Sequence, residues 1–214
     1  MLAGETAVYN GYEVALFPLP YINCTQGNGS STYSHCCGTM SDWAGPSAQM
    51  AYYAPVSCHR VAGPTGSDNI CTYTSDTRVW TPSGLKWLSF LFMHDDNPPS
   101  ATSFAQGDVI GHTGTAGFVT GDHVHLDQAF NQYATLQTDG TICAGSGTTC
   151  YYVVDGVQPD SAYYLSGNET IISEGQFSIP TWDGSVTPGG DSDVNLLWYI
   201  IGLATGRGRE RRNY

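Results

Sequence analysis

Thr120-Gly121-Asp122-His123-Val124-His125-Leu126 is the stretch that decides how this chain is read. In an extended strand residues i and i+2 point to the same face, so His123 and His125 offer two imidazoles to one groove. Directly upstream runs Gly111-His112-Thr113-Gly114-Thr115-Ala116-Gly117-Phe118-Val119, a glycine-laden loop that lets backbone approach a ligand closely. Further back, Phe92-Met93-His94 ends an apolar strand, and Gln106-Gly107-Asp108-Val109-Ile110-Gly111 reads as a turn into another strand. Earlier still, Ser34-His35-Cys36-Cys37-Gly38-Thr39-Met40-Ser41-Asp42 holds a histidine and a carboxylate seven positions apart across a glycine turn. Such a pair can converge on one metal from a loop and the strand that follows. Two imidazole nitrogens and one carboxylate oxygen suit Zn²⁺ and leave a fourth position for water, the pattern of a catalytic site. Each histidine taken alone reads as an ordinary polar residue; their company carries the signal.

The surroundings are those of a β protein. Gly, Pro, Asn, Asp and Ser recur every eight to twelve residues, with β-branched and aromatic runs between them. Strands are expected at 14–17, 54–61, 70–74, 78–81, 85–94, 109–112, 123–128 and 151–154, and residues 47–53 read as a short turn of helix at most. Charged residues are 12% of the 214, too few for a coiled coil or a charged helical bundle. The 7 Lys+Arg against 19 Asp+Glu leave a formal charge of −12, which excludes a nucleic-acid binder because scattered cations cannot neutralise a run of phosphates. Four of the six arginines (Arg207, Arg209, Arg211 and Arg212) crowd the end, so the body is acidic and the tail basic.

Residues 1–165 form the expected main domain, 166–193 a polar linker or extended arm, and 194–214 an apolar segment with an Arg-rich tail suited to docking. The apolar segment, 194–204, is well short of the ~20 residues a transmembrane helix needs. The chain opens on Met1-Leu2-Ala3-Gly4-Glu5-Thr6 with no basic start or long apolar run, so export by lysis or within a particle is expected instead of a secretory signal. Seven cysteines group locally, Cys24 with Cys36 and Cys37, Cys58 with Cys71, and Cys143 with Cys150. No C-x-x-C pair is present, so disulfide-pinned loops are expected over a cysteine zinc site, with one cysteine left over.

In order and spacing these motifs resemble the zinc endopeptidases of the LytM/lysostaphin family, which cut peptide bonds in bacterial peptidoglycan. The family pattern is a strand ending in His, then G-x-x-I-G-x-x-G, then T/S-G-x-H-x-H. It matches His94, the run Gly107-Asp108-Val109-Ile110-Gly111-His112-Thr113-Gly114, and Thr120-Gly121-Asp122-His123-Val124-His125. The resemblance covers about residues 14–130. One feature departs from it: the family's commonest first motif separates His and Asp by four positions, whereas His35 and Asp42 are seven apart. That spacing is closer to related D-Ala-D-Ala peptidases and to phage tail-tip members of the LytM-like group. The former usually carry E-x-x-H before their last metal histidine, where this chain has His123.

The resemblance implies an antiparallel β-sheet groove in which His35, Asp42 and His125 bind Zn²⁺ while His94 and His123 act beside the open position. One of the two would serve as general base and the other would orient water or the oxyanion, with the assignment open between them. His59 and His112 fall outside the pattern. The implied substrate is a peptidoglycan peptide cross-link. The implied setting is a phage virion, at the tail tip, with other tail proteins as partners through the C-terminal segment. Two alternatives stand beside it: a phage endolysin of the same chemistry, and a non-catalytic tail protein that keeps the fold.

Overall fold

The computed structural model describes residues 4–20, 24–26, 35, 40–82, 84–128, 151, 153–154 and 181–182. Its strands are β1 (Val8–Tyr9), β2 (Tyr12–Glu13), β3 (Cys24–Gln26), β4 (Ser41–Trp43), β5 (Ala51–Tyr53), β6 (Cys58–Thr65), β7 (Ile70–Ser75) and β8 (Val79–Thr81). They continue with β9 (Gly84–Lys86), β10 (Ser89–Met93), β11 (Ser103–Phe104), β12 (Val109–His112), β13 (Val124–Gln128), β14 (Val153–Val154) and β15 (Thr181–Trp182). The protein is mainly β: among the described residues there is no helix, and none that could cross a membrane.

A seven-stranded antiparallel sheet in the order β11-β6-β7-β10-β13-β4-β3 organises the molecule. Its register sorts the side chains. Paired residues share a face, so Phe92↔Leu126, Phe90↔Tyr73 and Val124↔Trp43 place one continuous apolar surface on one side. All six of these side chains are buried, and β5 and β12 cover them with Tyr52 and Ile110. The Tyr52 ring lies 4.6 Å from that of Phe92, and Phe17 meets Trp43 edge-on at 4.9 Å. The opposite face carries the alternate residues: Met93↔His125, Leu91↔Asp127 and His125↔Asp42. One sheet thus has a dry side that holds it together and a polar side that can do chemistry.

Several strands depart from the sequence expectation. Residues 14–17 form no regular strand; Val14 makes an isolated bridge to Trp80 and is buried beneath it. The segment expected at 54–61 bends through Ala54–Ser57, and β6 instead continues to Thr65. The run 85–94 divides into β9 and β10, because Leu88 turns inward to pair with the Ser75 backbone at 2.8 Å.

Three described cysteines correct the disulfide expectation where they bear on it. Cys24, Cys58 and Cys71 are unbonded and buried. Cys58 pairs with Ser75 across β6 and β7, which leaves Cys71 four residues further along its strand. At ~3.3 Å per residue that is a separation of about 13 Å, beyond the span of a disulfide. Cys36, Cys37, Cys143 and Cys150 lie outside the described residues, as do 194–214 and, apart from β15, the arm at 166–193. β15 pairs in parallel with β14.

Candidate metal centre

The polar side of the sheet opens into a cleft of about 510 Å³ whose floor is made by β4 and β13. Asp42 in the middle of β4 faces His125 on β13, and the carboxylate Oδ1 lies 2.8 Å from His125 Nδ1. The other oxygen, Oδ2, is 3.4 Å from His35 Nε2 and 3.6 Å from His123 Nε2. One ligand atom each from His35, Asp42 and His125 lies within 4.8 Å of the others, and all three residues are buried. Two imidazole nitrogens, once free of their protons, and an anionic oxygen at this separation fit a Zn²⁺ ion, which binds such atoms at about 2.0–2.2 Å.

The buried charges are mutually adjusted. Burial alone would raise the Asp42 carboxyl, but the hydrogen bond from His125 and the nearby imidazoles outweigh it and hold the group below its ordinary 3.8. Burial would depress His125, yet Asp127 and Asp42 overcome it and push the imidazole up from 6.5 to about 9. Asp127 is 1% exposed and stands two residues along β13, its Oδ2 3.9 Å from His125 Nε2.

His94 and His123 flank this cluster with ring centroids 4.7 Å apart. His94 directly follows β10 with φ of +79°, a left-handed backbone that a residue with a Cβ rarely adopts. The strain is held in place by partners: His94 N–H donates to the Asp68 carbonyl at 2.8 Å, and its own carbonyl accepts from Ala116 N–H at 3.1 Å. His94 Nδ1 donates to the Ala116 carbonyl at 2.7 Å, and His123 Nδ1 donates to the Gly121 carbonyl at 2.8 Å. A carbonyl oxygen only accepts, so each Nδ1 carries a proton, and in the neutral ring Nε2 is the basic nitrogen. Burial lowers His94 below 6.5, and the charges of His123 and His125 act in the same direction, against the Ala116 bond. The imidazole is thereby biased toward its neutral form.

The glycine-rich loop fits closely against Asp68. A Cβ at Gly117, which has φ of +84°, would sit 2.1 Å from Asp68 Oδ1. Phe118 N–H then donates to that same oxygen at 3.1 Å, fixing the loop over the cleft.

The chain is similar to a phage protein. Over 120 residues, 55% of its length, it is 33% identical to Morphogenesis protein 1 of Bacillus phage B103, and it spans about a third (32%) of that protein. No family model matches the chain. The crystal structure of a zinc-containing peptidase from Vibrio cholerae overlaps 56% of this chain and 41% of its own, at 16% identity and a TM-score of 0.42.

All five residues singled out in the sequence, His35, Asp42, His94, His123 and His125, line the one cleft. His59 and His112 do not: His59 pairs with Asp76 at 2.6 Å, and His112 borders a separate small cavity with Asp95 and Asp96. Sequence reasoning missed Asp68, Asp127 and Phe118, which also line the cleft. Asp127 was findable, since it continues the i, i+2 alternation of His123 and His125. Asp68 was not, because it meets the loop fifty residues away only in the folded chain.

Proposed function

We propose that this chain is a zinc-dependent endopeptidase that cleaves peptide cross-links of bacterial peptidoglycan as part of a phage particle. The single observation that carries the peptidase reading is the convergence of two imidazoles and a carboxylate beside two further imidazoles whose Nδ1 atoms are each bonded to a backbone carbonyl. His35, Asp42 and His125 would hold the ion. Bound there, Zn²⁺ supplies Lewis acidity toward a carbonyl and a water at neutral pH.

The remaining work falls to the chain's own groups. His94 Nε2, kept neutral by burial, takes a proton from the attacking water and returns it to the leaving amine. His123 Nε2, on a ring oriented by the Gly121 carbonyl, accepts from the water or, when it carries a proton, donates to the oxyanion that develops at the scissile carbonyl. On the buried side of the cleft Asp127 backs His125.

The particle reading rests on the likeness to a phage morphogenesis protein and on charge. Residues 1–206 hold 18 acidic and only 3 basic side chains once the terminal arginines and Glu210 are set apart, so long-range attraction to an anionic wall is lacking. Delivery by a particle already bound to the cell removes the need for it. In this reading 1–165 is the peptidase, 166–193 an arm, and 194–214 the segment that docks to other tail proteins at the tail tip.

The test is a cell-wall zymogram with zinc-loaded protein, alongside metal analysis. Clearing that a chelator abolishes and zinc restores, with about one zinc per chain, is expected. Intact walls with a full metal site would point to a non-catalytic tail protein.

A further inference from the structure

Charge in the cleft is distributed unequally among its three carboxylates. Asp42 is buried among three imidazoles, and Asp127 is buried behind His125. Both are committed to the metal centre. Asp68 differs, with its side chain 31% exposed and facing the open part of the cleft. Its Oδ1 accepts from Phe118 N–H at 3.1 Å and its Oδ2 from the Ser67 hydroxyl at 3.1 Å. A carboxylate offers about four lone-pair positions, so acceptor capacity remains toward the cleft. His94 Nδ1 lies 3.8 Å away, but its proton goes to the Ala116 carbonyl. Among the described residues no Lys or Arg lines the cleft.

The same hydrogen bond couples this carboxylate to an aromatic ring. Phe118 is 84% exposed, the most exposed of the large apolar side chains described, and it stands at the mouth of the cleft on a loop pinned by Asp68. An exposed ring beside a solvent-facing carboxylate matches one kind of group: an ammonium on an apolar stem. The charge pairs with the carboxylate, and the methylenes and the cation's edge pack on the ring.

We infer that Asp68 and Phe118 form a subsite for a free amino group carried by the peptide next to the scissile bond. This rests on the peptidase reading, and it names the substrate class: cross-links flanked by a residue bearing an unmodified primary amine. Because Asp68 adjoins His94, the amine belongs to a residue bordering the bond that is cut. Its source is either the side chain of a diamino acid or the α-amino group of a short bridge.

The experiment uses the zinc-loaded full chain, with soluble cross-linked muropeptides in three forms: native, acetylated at side-chain amines only, and acetylated at α-amines only. Both kcat/KM and equilibrium binding are measured, for wild type, Asp68→Asn and Phe118→Ala. Acetylating the relevant amine should lower wild-type kcat/KM and affinity by about tenfold, as expected for losing one charge-assisted contact. Asp68→Asn should weaken native substrate by a similar factor and become indifferent to acetylation, with most of the change in KM. Whichever acetylated form is discriminated against identifies the amine. Equal binding of all three forms by wild type, or an Asp68→Asn protein that keeps the preference, overturns the subsite. If nothing is cleaved but binding still discriminates through Asp68, the subsite stands and the peptidase reading fails.

Discussion

Gly114 lies directly beneath His94: a Cβ added at position 114 would sit 2.2 Å from the His94 carbonyl oxygen. Gly114 also exchanges two backbone hydrogen bonds with His123, at 3.0 and 3.1 Å. One glycine therefore sets the spacing of both flanking imidazoles. Gly114→Ala should destabilise the fold by ~1–3 kcal/mol through overpacking. The activity loss should exceed what the unfolded fraction explains, by about a hundredfold, because displacing His94 spoils alignment. Thermal melts and cell-wall turnover, with metal content as a control, check this. Wild-type turnover in a folded Gly114→Ala protein would remove Gly114 from the site's architecture.

Zinc uptake should release a proton, and His125 is the reason. In the metal-free protein its pKa stands near 9, raised by Asp127 and Asp42 against the opposing effect of burial. Binding at neutral pH must therefore expel that proton, so affinity should climb with pH by up to about tenfold per unit and level off near pH 9. Titration calorimetry in buffers of different ionisation enthalpy reads the proton directly. The metal-free protein should behave oppositely. A folded pKa above the unfolded 6.5 adds stability that is fully present below pH 6.5 and is lost as pH rises toward 9. Metal affinity independent of pH between 6.5 and 9 would contradict both statements.

Asp127 should tune the ion without touching it. Its carboxylate lies behind His125 Nε2, leaving Nδ1 on the Asp42 side. Asp127→Asn keeps the shape and removes the charge, and zinc affinity should fall by ~10–100-fold. Competition against a chromophoric chelator measures it. An unchanged affinity would reduce Asp127 to a buried structural carboxylate.

The alternation of His123 and His125 was legible because period two is a local property; Asp127 continues it along β13 and was not read. β4 was not legible. Ser41-Asp42-Trp43 has three residues and no β-branched side chain, and its strand character comes from pairing with β13, 83 positions further on for the Asp42–His125 contact. The continuation of β6 through Gly63-Pro64 was hidden by two residues that ordinarily end a strand. Proximity in sequence also misled where register decides, as Cys58 and Cys71 show.

Those thiols give a chemical check. Cys58 and Cys71 are buried and their ionisation is suppressed, first by desolvation. Alkylation of both should be slow in the native protein and fast after unfolding, and peptide mapping without reductant should find no Cys58–Cys71 link. Stability losses of Cys58→Ala and Cys71→Ala should add, as for separated sites, within about 0.5 kcal/mol in the double variant. Recovery of the linked peptide from native protein would overturn the register described for β6 and β7.

In the proposed chemistry His94 separates catalysis from metal binding. Its Nε2 is the proton acceptor in the proposed chemistry, and it lies outside the set His35, Asp42 and His125. His94→Ala should keep about one zinc per chain while losing ~10²–10⁴ in turnover, the usual worth of a positioned acid–base group. The wild-type acid limb should fall below pH 6.5, because burial, reinforced by the neighbouring histidines, depresses this imidazole and a base must be neutral to work. The sign for stability agrees: a depressed folded pKa contributes stability present above pH 6.5 and lost as pH falls through the folded value. Replacing His94 should therefore flatten that acid-side loss of stability as well as abolish turnover. A His94→Ala protein that turns over normally, or that loses its zinc, would assign proton transfer to His123 or make His94 part of the metal site.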